Sequence, residues 1–113
     1  MPTPDRLQTA RDTYRAFAEG DRKLIEDVFE EDLAFSAPPD PLLDRDGYFE
    51  RCWPHRGSTR HFDFVRLVEI GDEVLVTYEA TKADGRRLRN TEILGFDGDR
   101  INRVEVYFGW DLE

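Results

Sequence analysis

The stretch from Arg86 to Trp110, RRLRNTEILGFDGDRINRVEVYFGW, decides the fold. It reads as two β-strands joined at Asp97-Gly98-Asp99 and ending in an aromatic cluster. Side chains alternate across a strand with period two, so Asn90, Glu92, Leu94 and Phe96 share one face of the first strand. Val104, Val106, Phe108 and Trp110 share one face of the second, with Glu105 and Tyr107 opposite. If the faces carrying Glu92 and Val106 point the same way, a carboxylate stands on an otherwise apolar wall. No other feature of the sequence suggests chemistry as directly.

Upstream of this stretch come two further strands. His61 to Ile70 places Phe62, Phe64, Val68 and Ile70 on one face alongside Arg66, and Gly71-Asp72 turns it into Glu73 to Lys82. There Val74, Val76, Tyr78 and Ala80 alternate with Leu75, Thr77, Glu79 and Thr81, and Asp84-Gly85 leads on to the strand of Glu92. Gly-containing turns of this kind are the usual hairpin connection, so the four strands form an antiparallel meander.

The first half of the chain is helical. Thr3-Pro4-Asp5 has the chemistry of a helix start, and Leu7, Ala10, Tyr14 and Phe17 follow at steps of three and four as one apolar stripe. Gly20 stops that helix, and Asp21 caps a short second one with Leu24, Ile25, Val28 and Phe29 on its buried face. Leu33 to Ser36 is a short strand, ended by Ala37-Pro38-Pro39-Asp40-Pro41, which cannot continue a sheet ladder. Asp44 caps a third helix running to about Trp53, which Pro54 ends, and His55 to Arg60 reads as a loop. Helices gathered toward one end of the chain must cover one face of a curved sheet to bury their stripes, which makes an α+β domain. The other face keeps apolar groups such as Leu75 and Tyr107, so it is wrapped by something else or dimeric.

The bulk properties exclude several functions. With 113 residues and 39% hydrophobic content, the chain has one core and one domain, residues 1–113. A net charge of −9 argues against an electrostatic grip on nucleic acid or an anionic membrane. The single cysteine, Cys52, excludes an internal disulfide and reads as a buried thiol rather than a nucleophile. No apolar run has the length of a membrane helix and no signal-peptide core is visible, so a cytoplasmic location is expected. Asp40, Asp44 and Asp46 lack the glycine turn and terminal glutamate of a calcium loop, and no metal is expected. There is no Walker loop, dinucleotide fingerprint or nucleophile elbow.

Three segments carry a resemblance: AFAEGDRKLIEDVFEEDLAFSAP, EIGDEVLVTYEAT and the terminal FDGDRINRVEVYFGW. With the order of elements, they resemble the NTF2-like superfamily with its ketosteroid isomerase-like, cystatin-like fold, and within it the SnoaL-like bacterial domains. The resemblance implies a cone with three N-terminal helices packed on a curved antiparallel sheet, a pocket between them, and a homodimer through the outer sheet face. It is specific for fold rather than function, since this fold hosts isomerases, cyclases, epoxide hydrolases, dehydratases and non-catalytic binding domains. Compared with the ketosteroid isomerase branch, Tyr14 lies close to the oxyanion-donor tyrosine of the first helix, and Glu92 falls at the position of the protonated acid. The branch's general base corresponds to Ala37, so steroid-type isomerisation is not expected. Asp40 fills that role only if the proline loop folds back over the mouth.

Several candidates emerge, each with an ordinary structural alternative. Glu92 among Leu94, Val106 and Phe108 would be an acid raised by desolvation, or else a partner of Arg86, Arg87 or Arg89 in a structural bridge. Tyr14 is an oxygen-polarising donor or a core residue, and Asn90 is a second polarising group. His61 is the better placed of two histidines, with His55, to relay a proton, and both otherwise belong to a surface loop. Trp53, Phe62, Tyr78, Phe108 and Trp110 are enough to line an apolar pocket and equally enough to fill it. Phe17, Phe35 and Tyr48, with Leu94 and Val106, complete the expected pocket wall. The expected partner is a small, mostly apolar molecule, with no cofactor. One reading is isomerisation, cyclisation, dehydration or hydrolytic ring opening at Glu92. Another is a non-catalytic ligand-binding or dimerisation module, and a third is a protein-interaction role for an exposed apolar face.

Overall fold

A computed structural model describes residues 5–112. Of the expected helix start, Thr3 and Pro4 lie outside the described residues, and Asp5 is the N-cap, its carboxylate accepting from the Gln8 N–H at 3.0 Å. Helix α1, Arg6–Glu19, ends at Gly20, whose φ of 78° is the left-handed conformation that glycine adopts without a Cβ penalty. Asp21 caps α2, Arg22–Val28, through the Leu24 N–H at 3.3 Å. Phe29, expected on the buried face of this helix, instead begins β1, Phe29–Ala37, and is buried there.

The chain continues through β2, Asp40–Leu43, helix α3, Arg45–Arg51, and a short 3-10 helix, Trp53–His55, that holds Pro54. It then runs through β3, Thr59–Ile70, β4, Glu73–Lys82, β5, Arg87–Asp97, and β6, Arg100–Leu112. One sheet holds all six strands in the order β2-β1-β6-β5-β4-β3. The last four form the expected antiparallel meander.

Three expectations are corrected. The sheet is mixed, because β1 runs parallel to β6, with Phe35 opposite Val104. The proline segment does not leave the sheet; it folds back so that Ala37 pairs with Asp40, making β2 an edge strand. An edge strand tolerates Pro41 because its missing N–H need serve no neighbour. The helices are not all N-terminal to the sheet, since α3 falls between β2 and β3.

Register shifts decide which side chains face inward, and two of them overturn the simple alternation. Register shifts between Phe64 and Arg66 on β3, so one extra residue, Val65, turns Val68 and Ile70 to the outer face and Leu67 to the inner one. On β6 the extra residue is Gly109: Phe108 pairs with Asn90, but Trp110 pairs with Arg89. A Cβ at Gly109 would lie 2.0 Å from the Arg89 carbonyl oxygen, so only glycine lets the strands approach this closely. Trp110 therefore faces outward, against the expectation from simple alternation, and the Arg89 guanidinium lies 5.4 Å from its ring centroid.

The core sits between the inner sheet face and the helices. Ile25, Leu33, Val74, Val76, Leu94 and Ile101 are its largest fully buried side chains. Tyr14 of α1 lies across the sheet, its ring 5.2 Å from Phe62 and 5.4 Å from Tyr78. At the narrow end Arg6 ties α1 to the turns, donating to the Gly98 carbonyl at 2.9 Å and to Asp72 at 3.1 Å. The outer face leaves Val68, Ile70, Tyr107 and Trp110 exposed.

Candidate functional site

Between the helices and the inner sheet face lies a cavity of about 410 Å³. Its wall includes Tyr14 and Phe17 from α1, Tyr48 and Cys52 from the α3 segment, Phe35 from β1, Phe62 from β3, and the inner residues of β4 to β6. Of the expected wall, Phe17, Phe35, Tyr48, Phe62, Tyr78, Leu94, Val106 and Phe108 line the cavity. Trp110 does not, because the Gly109 bulge turns it outward. Neither does Trp53, which is buried behind the wall with its ring 6.0 Å from Phe17 and 6.2 Å from Phe49.

Glu92 lines this cavity. Its strand neighbours on the inner face are Val76 and Val106, since residues directly opposite in antiparallel strands share a face. One carboxylate oxygen accepts from the Tyr14 hydroxyl at 3.0 Å and the other from the Tyr78 hydroxyl at 2.6 Å. Burial pushes the Glu92 pKa up, against the two phenol hydrogen bonds, which favour its ionised form. The Tyr14 and Tyr78 phenols are pushed well up in turn, by burial first and the facing carboxylate second.

The arginine bridge that would make Glu92 ordinary structure does not form. Arg87 and Arg89 pair with Glu79 on the outer face, and Arg86 pairs with Asp84 in the turn. Among the described residues no cation lies within ion-pair distance of Glu92.

Asn90 also lines the cavity, but both ends of its amide are engaged. Its Nδ2 donates to the Tyr78 hydroxyl at 3.3 Å and its Oδ1 accepts from the Gly109 N–H at 3.1 Å. It orients Tyr78 and pins the bulge rather than presenting a free polarising group. His61 is not brought to the cavity: it is exposed, and its Nε2 lies 2.8 Å from Asp63. The proton relay assigned to it is therefore corrected; of the two histidines, His55 is the one on the cavity wall.

Two tyrosines gain roles that the sequence did not reveal, and the proline segment folds back as the reading of Asp40 required. Tyr78, expected only as an aromatic wall, is a hydrogen-bond partner of Glu92. Tyr48 is buried, lines the cavity and makes no side-chain hydrogen bond among the described residues, and burial raises its phenol. Asp40 reaches the wall because β2 folds back opposite Ala37, and its carboxylate lies 2.7 Å from the Arg51 Nε. Cys52 is half-buried on the same wall with its thiol pushed up to about 11, mainly by burial and then by Asp40, so it is a poor nucleophile. Asp44, from the acidic trio considered for metal, caps α3 through the Gly47 N–H at 2.7 Å.

The site is thus a mostly apolar cavity between helices and sheet, with one carboxyl held between two phenols. The sequence profile of the SnoaL-like domain matches residues 10–104, and the chain belongs to this family. No curated protein matches the sequence. Among solved structures, a protein from Kribbella flavida is similar with a TM-score of 0.80 at 17% identity, covering 91% of this chain and 85% of that one. An NTF2-like protein of unknown function from Burkholderia xenovorans has a TM-score of 0.77 at 20% identity, covering 96% and 87%. A protein described as a putative ketosteroid isomerase, also from Kribbella flavida, has a TM-score of 0.76 at 17% identity, covering 94% and 78%. At these identities the likeness shows the NTF2-like fold. Among the described residues no helix is long and apolar enough to cross a membrane.

Proposed function

We propose that the protein binds a small, mostly apolar, oxygen-bearing molecule in the cone cavity and moves a proton on it without a cofactor, with Glu92 as the acid–base group. The observation that carries this reading is the isolation of Glu92: a buried cavity carboxyl with two phenol partners and no ion-pair partner among the described residues. A raised carboxyl keeps its proton closer to neutral pH, and its ionised form is a stronger base than an ordinary glutamate. Tyr14 and Tyr78 hold the group in place, and Tyr48 supplies the phenol that donates to the oxygen of the bound molecule. Isomerisation, cyclisation and dehydration all contain such a proton transfer beside a polarised oxygen. The neighbour described as a putative ketosteroid isomerase fits this class.

The test is solvent deuterium exchange into tetralone, an apolar ketone with acidic α-hydrogens. Wild type is expected to accelerate exchange, and Glu92→Gln to lose about a hundredfold or more of the acceleration. Tetralone that binds in the cavity without enhanced exchange would instead favour a non-catalytic ligand-binding module, which needs no base. A second copy covering Val68, Ile70, Tyr107 and Trp110 on the outer face accounts for their exposure. Sedimentation would then report a dimer that charge substitution at Trp110 weakens.

A further inference from the structure

We propose that Lys82 forms an anion-binding subsite at one end of the cavity, so that the ligand is an apolar molecule carrying a carboxylate or an equivalent anion. This rests on the reading above of the cavity as a ligand site, and it adds the chemical class of the ligand.

The inner row of β4 runs Val74, Val76, Tyr78, Ala80 and Lys82. Tyr78, Ala80 and Lys82 all line the cavity, so one strand carries the site from the Glu92 end to an ammonium group. Between them the wall is apolar: Ala80 is flanked by Phe62 on β3 and Leu88 on β5. Four residues of strand place the Cα atoms of Tyr78 and Lys82 about 13 Å apart. A fused-ring or medium-chain body fits that apolar interval.

Lys82 is held by a hydroxyl rather than by an acid. Its Nζ donates to the Thr59 hydroxyl at 3.1 Å, and it makes no ion pair among the described residues. The ammonium has three donors, of which this contact uses one. Asp84, the acid near it, is held by Arg86 through its backbone N–H at 3.0 Å and its Nε at 2.8 Å. Arg51 on the opposite wall is neutralised by Asp40. His55, also on the wall, has no side-chain partner among the described residues and adds a second donor on the helical side. Burial first and the Arg86 charge second hold the Lys82 ammonium below its ordinary value, against the pull of Asp84. An overall charge of −9 repels anions at long range, so selection for one must come from a local group of this kind.

The experiment titrates the protein calorimetrically with naphthylacetate and with naphthylethanol, which share an aromatic body and differ in charge. Wild type is expected to bind the acid more tightly than the alcohol. Lys82→Met keeps the aliphatic stem and should weaken the acid by about tenfold or more, leaving the alcohol unchanged. Lys82→Arg should retain most of the preference. Unchanged alcohol binding also reports that the Met variant keeps its cavity. If the acid binds wild type and Lys82→Met alike, or if both probes weaken in parallel, the subsite is overturned while the cavity reading stands. If neither probe binds wild type, both fall together.

Discussion

Glu79 and Glu92 lie on adjacent strands, and the sheet treats them in opposite ways. Glu79 on β4 pairs across to Arg89 on the outer face and meets two guanidinium groups, those of Arg87 and Arg89. Glu92 on β5 pairs across to Val76 on the inner face and meets two phenols. The same side chain is a structural ion-pair partner in one place and an isolated cavity acid in the other. Nothing local to either residue makes the difference; the parity of the strand does, together with what covers each face.

The sharpest way to break this contrast is to disturb the parity. Gly109→Ala puts a methyl group against the Arg89 carbonyl, so the bulge must open. A loss of roughly 3 kcal/mol is expected, read as a lower denaturant midpoint. Tyr78→Phe leaves the fold's parity intact and removes one donor from the buried carboxyl. It should cost about 1–2 kcal/mol and raise the Glu92 pKa further, because that hydrogen bond favours the ionised form.

The pH dependence of stability follows from the same burial. The folded Glu92 pKa lies above its ordinary value of 4.5, whereas the unfolded one does not. Between the two, folding takes up a proton, so stability falls as pH rises, by at most about 1.4 kcal/mol per pH unit. Below the unfolded value the penalty is absent; above the folded value it is complete and level. Glu92→Gln carries no such term, so its melting temperature should gain on wild type from about pH 4.5 upward. Glu79→Gln is expected to change stability by about 1 kcal/mol or less, since its ion pairs reach solvent.

Much of this contrast was legible in the sequence. The period-two row Asn90, Glu92, Leu94 and Phe96 predicts one face, and the cross-strand pairs bear that row out. The glycine turns fixed the meander, and Gly20, Asp21 and Asp44 marked helix ends that the structure keeps, whereas Asp5, expected inside the first turn, is the cap of α1. The bulges were not legible, because an extra residue at Val65 or Gly109 leaves the alternation looking intact while turning Val68, Ile70 and Trp110 over. Gly109 was the available signal, since an isolated glycine inside a strand often marks a bulge. Tyr78 as a partner of Glu92 was hidden for a related reason. The two are diagonal neighbours, and only the register of Val76 on Glu92 and Tyr78 on Asn90 brings them together. For Asp40 the sequence offers only a condition, that the proline segment fold back, and an edge strand that accepts prolines meets it.

The measurement that tests the central claim most directly is a carbon-detected NMR titration of the Glu92 side-chain carboxyl, assigned by its loss in Glu92→Gln. The account predicts a midpoint above 4.5 in wild type and a higher one still in Tyr78→Phe. A wild-type midpoint at or below 4.5 would contradict it, since phenol bonding or an unseen counter-charge would then outweigh burial and leave Glu92 an ordinary carboxylate.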